Sequence, residues 1–198
     1  MISLITISVK KFDKIWFGTA IQVGGEIIKI SFSKSRKDVL NEIIKSVPQK
    51  WQIRNNNSEG QTVLVSINKL FHGEKNNNQL KIDLNQATTF QRKVYSLLRK
   101  IPKGKVSTYS IIAKAVGHRG AYRAVGNVMA SNPFPLLIPC HRIINSNLRI
   151  GNYSIPGLNE IESSKLKLQI LLNEGVKFKE NKVVYEHIYF PKNKRKNK

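Results

Sequence analysis

The chain has 198 residues, 40% of them hydrophobic, which is enough to bury a core without disulfide staples and too apolar for a disordered basic tail protein. Its 34 Lys and Arg against 12 Asp and Glu leave a formal charge of +22, so a polyanionic partner is expected. A single cysteine, Cys140, excludes an internal disulfide, and with only His72, His118, His141 and His187 beside it no metal site is expected.

In chain order, Met1–Val9 is apolar but short, lacks a basic leader and runs into Lys10-Lys11, so it reads as a first strand rather than a signal peptide. No apolar run reaches the ~18 residues of a membrane span, so a cytoplasmic protein with no membrane partner is expected. Ile2–Val9, Lys14–Gln22 and Gly25–Phe32 read as strands, with Gly24-Gly25 as a turn. Lys37–Ser46 places Val39, Leu40, Ile43 and Ile44 at helical spacing. Asn55-Asn56-Asn57-Ser58 reads as a loop, and Gln61–Phe71 and Leu80–Leu84 return to strand character around the polar loop Gly73–Asn78. Residues 1–84 therefore read as a small α/β scaffold domain without recognisable chemistry.

The period then changes. Thr89–Arg99 carries Phe90, Val94, Tyr95, Leu97 and Leu98 on one stripe after a Thr88 or Thr89 cap, and Ile101-Pro102-Lys103-Gly104 ends it. Ser107 or Thr108 can cap a second helix that Gly117 stops, and Ala121–Ala130 forms a third after His118-Arg119-Gly120. Two short helices joined by a Gly-containing turn make a helix-turn-helix candidate. The fold class is α/β (α+β) in two domains: strand-rich 1–84 with one or two helices, mostly helical 85–180 with the helix-turn-helix, then a basic tail, 181–198.

Charge supports nucleic acid. Between Asp83 and Glu160 stand Arg92, Lys93, Arg99, Lys100, Lys103, Lys105, Lys114, Arg119, Arg123, Arg142 and Arg149, with no acidic residue. A lysine-rich proteome would give a similar excess. The third helix, Ala121-Tyr122-Arg123-Ala124-Val125-Gly126-Asn127, is built mostly of small residues, which suits close approach in the minor groove with one inserted Arg better than base-edge reading. Tight helix packing would use the same residues. Three prolines in Asn132–Pro139 then deliver Cys140, beside His141 and Arg142, to the end of a rigid segment. A thiol must lose its proton to attack, and a histidine backed by a carboxylate, with Glu174 the best candidate, can take it. A buried structural cysteine is the plain alternative.

Pro139-Cys140-His141-Arg142, preceded by Arg123-Ala124-Val125-Gly126 and Asn132-Pro133 and followed by Gly151-Asn152-Tyr153-Ser154 and Leu171-Leu172-Asn173-Glu174-Gly175, resembles the O6-alkylguanine-DNA alkyltransferases. Ile101-Pro102-Lys103-Gly104 and Ser107-Thr108-Tyr109 fit the same pattern, and the resemblance covers about 86–180. It implies a suicidal, cofactor-free repair in which the alkyl group of O6-alkylguanine, and of O4-methylthymine, moves from duplex DNA to Cys140 of a monomer. The implied roles are Cys140 as nucleophile, His141 as base through a water, Glu174 orienting His141, and Asn132 bracing the turn. Tyr109 would help rotate the nucleotide and donate a proton to the leaving guanine, and Arg123 would fill the vacated stack. Pro135, Tyr153 and Ser154 would line the pocket, and the carbonyls of Cys140 and Ile143 would read the exocyclic amine. Thr108, Tyr109, Ala121, Tyr122, Arg123, Ala124, Asn127, Arg142 and Asn152 would meet DNA.

The chain departs from the family pattern twice. About six extra residues near 159–166 are expected to alter a pocket-rim loop, and Ile155-Pro156 stand where the family often has Gly, so Ile155 is expected to narrow the pocket against benzyl-type adducts. Two other readings remain from the residues: a helix-turn-helix protein that recognises alkylated DNA without repair, and a regulator whose Cys140 senses redox state.

Overall fold

A computed structural model describes residues 4–55 and 58–191. The start of the first expected strand, the middle of the Asn55–Ser58 loop and residues 192–198 of the expected tail lie outside the described residues.

β1 (Leu4–Phe12), β2 (Ile15–Gln22) and β3 (Ile27–Ser33) form an antiparallel meander, and β4 (Gln52–Asn55) lies parallel to β1, giving the order β3-β2-β1-β4. α1 (Arg36–Ser46) covers one face, where Val39 and Ile43 pack with Ile5, Ile7 and Ala20. Gly18 permits that approach, since a Cβ there would stand 2.5 Å from both Val39 and Ile43.

The opposite face is covered by α2 (Ser58–Phe71), so Gln61–Phe71 is helix rather than strand. The β-branched Thr62, Val63, Val65 and Ile67 favour a strand, but Gly60, Val63, Leu64, Ile67 and Phe71 are buried at helical spacing, and burial of that stripe outweighs local preference. Thr62 and Ser66 return their hydroxyls to carbonyls one turn back, at 3.0 Å each. Leu80–Leu84 is likewise no strand; it contributes a single bridge, Ile82 with Ile27, on the free edge of β3.

In the second half, α3 (Thr89–Leu98) starts at a capping box made by Thr88 and Gln91. β5 (Ser107–Thr108) leads into α4 (Tyr109–Ala115), a turn containing Gly117 follows, and α5 (Tyr122–Ala130) completes the helix-turn-helix. β6 (Ile143–Ile144) pairs parallel with β5 and ties the Cys140 segment to the start of α4. α6 (Glu160–Asn173) is capped by Asn159, whose side chain accepts from Glu162 N at 2.9 Å. The expected rim loop over 159–166 is thus the first turns of a helix. One apolar cluster runs from Phe17, Phe32 and Phe71 through Val94, Ile112, Val125 and Ile138 to Ile170, so the strand-rich and helical halves share a core.

Residues 181–191 are not a tail. β7 (Phe178–Lys179) and β8 (Lys182–Val183) form a hairpin, and the chain then pairs with the loop before β5: Val106 N donates to His187 O at 2.8 Å and Tyr189 N to Val106 O at 2.7 Å. The buried His187 locks this return, with Nδ1 donating to Gly104 O at 2.7 Å and Nε2 accepting from Lys177 N at 3.2 Å. Among the described residues no helix is long and apolar enough to cross a membrane.

Gly73 sits at φ 69° against the end of α6, where a Cβ would lie 2.2 Å from Asn173 O; Gly24 has a φ of 106° with open space around it. Gly73→Ala is therefore expected to lower unfolding free energy by about 2 kcal/mol or more, and Gly24→Ala by about 1 kcal/mol from backbone strain alone. Denaturant titration showing equal losses would contradict the tight seating of α2 against α6.

Candidate active site and DNA-facing surface

Asn132 organises the segment that presents the thiol. Its side-chain oxygen accepts from Phe134 N at 3.0 Å, while its amide donates to Ile138 O at 2.9 Å and to Cys140 Sγ at 3.2 Å. The turn is closed at both ends, and Cys140 starts a single 3-10 turn, Cys140–Arg142, at its exit. Tyr153 Oη stands 4.0 Å from Sγ. Burial pushes the Cys140 thiol up from its ordinary value, opposed by the Asn132 and Tyr153 hydrogen bonds and the Lys167 charge, so the resting sulfur is protonated. Tyr153 and Tyr109 are raised by burial and then by the Cys140 charge, and both remain phenols able to donate a proton.

Behind the thiol, His141 is almost wholly buried, and its Nε2 meets Glu174 Oε1 at 3.0 Å. Arg142 grips the same carboxylate, Nε to Oε2 at 2.8 Å and Nη2 to Oε1 at 2.6 Å, and donates Nη1 to Ile101 O at 2.7 Å. Burial alone would raise the Glu174 carboxyl; the bonds and charges of His141 and Arg142 override it and hold it at about 2. Burial lowers His141, which stays neutral. An ionised Glu174 can only accept, so Nε2 carries the proton and Nδ1 is left with a lone pair. That Nδ1 is buried without a protein partner.

Several expected contacts are thereby reassigned. Arg142, expected on DNA, turns inward, and its guanidinium is spent on Glu174 and Ile101. Thr108 is buried, and its hydroxyl caps α4 by accepting from Ile111 N at 3.2 Å. The Ile143 carbonyl already accepts the ammonium of Lys167 at 2.7 Å, leaving one lone pair for any other reader. Tyr122, Arg123, Ala124 and Asn127 are exposed on α5 and Ala121 half-buried at its start, opposite the buried Val125 and Val128. Packing does not explain the small residues there: Ala124 is exposed, and a Cβ on Gly126 would have one contact, Tyr109, at 4.0 Å. They leave the outer face of α5 smooth for close approach.

Lys167 is the site residue that the sequence reading missed. It lies among Ser163, Leu166, Ile170 and Leu171 on the buried stripe of α6, and its Nζ donates to Ile143 O at 2.7 Å and Ile150 O at 2.8 Å. Burial lowers it to about 8, against the pull of Cys140. A lysine inside an otherwise apolar helical stripe was the available signal. A cleft of about 530 Å³ opens above the thiol, lined by Tyr109, Asn132, Pro135, Cys140, Asn152, Tyr153, Ser154 and Ile155 on the helical side and by β3 on the other.

Two outcomes follow from these charges. Glu174 has its carboxyl lowered on folding from 4.5 to about 2, so its contribution, on the order of 3 kcal/mol, is present above about pH 4.5 and lost as pH falls toward about 2. Glu174→Gln is expected to be less stable at neutral pH and to close the gap with the wild type over that window; parallel unfolding curves would contradict this. Lys167→Met, removing the charge that favours a thiolate, is expected to move the pH profile of Cys140 labelling by iodoacetamide to higher pH, and an unshifted profile would contradict this.

Known proteins share this architecture. Residues 89–176 match the family model described as the DNA-binding domain of 6-O-methylguanine DNA methyltransferase. A methylated-DNA–protein-cysteine methyltransferase of Thermococcus sibiricus is 33% identical over 169 residues, 84% of this chain and 87% of that protein. A namesake from Saccharomyces cerevisiae is 45% identical over 87 residues, covering 44% of this chain and 43% of its own. The O6-methylguanine-DNA methyltransferase of Pyrococcus kodakaraensis superposes with a TM-score of 0.65 at 25% identity, over 87% of this chain and 99% of that one. Mycobacterium tuberculosis OGT in complex with DNA shares the fold with a TM-score of 0.64 at 22% identity, over 85% and 92%. With a braced thiol, a carboxylate-held imidazole and a helix-turn-helix beside them, the chain belongs to the methylated-DNA–protein-cysteine methyltransferase family.

Proposed function

We propose that this chain repairs duplex DNA as a monomer by taking the alkyl group of O6-alkylguanine, and of O4-methylthymine, onto Cys140 in one irreversible turnover without a cofactor. The observation that carries this reading is the neutral thiol held by Asn132 beside a neutral His141 whose Nδ1 lone pair is free while Nε2 is committed to Glu174.

The damaged nucleotide must leave the stack to reach a thiol at the floor of a cleft. Extrusion costs a few kcal/mol, offset by phosphate contacts from the basic face and by Arg123 entering the gap. Arg123 lies on the exposed side of α5, and Tyr109, the first residue of α4, lines the cleft beside Cys140. The thiol proton passes to His141 through a water as Sγ attacks the alkyl carbon. The C–O6 bond breaks, its electron pair passes to the guanine, and Tyr109 gives a proton to the leaving ring. Two groups support charge separation against burial: Glu174 stabilises the imidazolium, opposing the charges of Arg142 and Lys167, and Lys167 favours the thiolate. Binding to alkylated DNA without repair is the less favoured reading, because it leaves the thiol and its relay without a purpose.

Incubation with a duplex bearing O6-methylguanine is expected to add one methyl group to Cys140 by mass spectrometry. Cys140→Ser should abolish the addition while keeping DNA affinity; an unchanged wild-type mass would contradict repair. Arg123→Ala is expected to slow repair in duplex DNA by about tenfold while leaving reaction with free O6-benzylguanine within about twofold. Equal slowing of both would remove Arg123 from the flipping step.

A further inference from the structure

We infer that Ser33, on the strand-rich half, is a positioning residue that sets which O6 substituents the alkyl pocket accepts; this rests on the repair reading above and assigns that half a part in it. The rim over the thiol, residues 153–158, has neither helix nor strand of its own. Ile155 lies on it, buried and lining the cleft with Cys140 and Tyr153. On the helical side the rim is fastened by Ile155 N donating to Ser163 Oγ at 3.3 Å. The opposite fastening comes from the end of β3: the fully buried Ser33 donates Oγ to Pro156 O at 2.7 Å.

One further contact seats the rim on the same corner, and an ion pair ties down the helix that follows it. Gly157, at φ 73°, lies so close to α1 that a Cβ would stand 1.9 Å from Asp38 Oδ2, and Lys34 pairs with Glu162 at 2.8 Å. The other wall of the cleft is tied to the same strand, because Ile30 N donates to Pro133 O at 2.8 Å, next to the Asn132 that holds the thiol. The walls are therefore anchored three residues apart on β3. A strand rises about 3.3 Å per residue, so the anchors are held about 10 Å apart by a rigid, hydrogen-bonded spacer. Pocket width is set by the sheet and transmitted through Ser33 to Ile155. Loss of the Ser33 hydroxyl frees the rim to move outward, which costs a small methyl adduct little and relieves a bulky one.

The test compares single-turnover rates on duplexes carrying O6-methylguanine or O6-benzylguanine for the wild type, Ser33→Ala, Ser33→Thr and Gly157→Ala. The benzyl-to-methyl ratio is expected to rise about threefold or more in Ser33→Ala and Gly157→Ala, and to stay within about twofold of the wild type in Ser33→Thr, which keeps the hydroxyl. Melting curves identify a variant that fails to fold, and the remaining variants then decide. Wild-type ratios in both Ser33→Ala and Gly157→Ala, or equal shifts in Ser33→Ala and Ser33→Thr, would overturn the inference while leaving repair standing. A wild type that accepts neither group would overturn both.

Discussion

The site depends on one buried carboxylate. Glu174 receives His141 on one oxygen and Arg142 on both, and burial alone would make its charge costly. The guanidinium compensates that cost. The result is an anion fixed in the interior, which can only accept a proton-bearing nitrogen and so dictates the tautomer of His141. Nδ1 of His141 is thereby left as the free acceptor. Arg142 also reaches Ile101 O, so the loop ending α3 is held by the same group that charges the site. A single residue at the C-terminal end of α6 thus connects the thiol turn, the loop after α3 and the buried stripe that carries Lys167.

The two halves are coupled in a comparable way. They share a core, and the free edge of β3 is occupied by Pro133 O rather than left as an unpaired strand. Covering that edge also anchors the active-site turn. The polyanion attraction is carried by the helical half, where the acid-free interval includes the exposed Lys114, Arg119, Arg123 and Arg149. Arg142 belongs to that interval in sequence but not to the field, because its charge is cancelled by Glu174 at 2.6 Å.

Much of this was legible in the amino-acid sequence, for identifiable reasons. β1 to β3 and α3 to α5 declare themselves by period, caps and glycines, and the Cys140 neighbourhood by motif. The failures have physical causes. Residue preference in Gln61–Phe71 favours a strand, yet its buried stripe has a helical period. Terminal position and charge suggest a tail over residues 181–191, while the buried Val183 and His187 pin that stretch to the fold. The resemblance places Thr108 and Arg142 on DNA but gives no side-chain direction; one turns to cap α4 and the other turns inward. Ser33 and Lys167 donate to backbone carbonyls, partners that leave no pattern in a sequence; only the place of Lys167 on the buried stripe of α6 marks it there.

That burial keeps His141 neutral while Glu174 fixes its proton on Nε2 and leaves Nδ1 unprotonated is tested most directly by the 15N chemical shifts of His141 in the unreacted protein at neutral pH. The expected result is a protonated Nε2 and an unprotonated Nδ1, with Glu174→Gln disturbing that assignment. A proton on Nδ1, or an imidazolium at neutral pH, would contradict it.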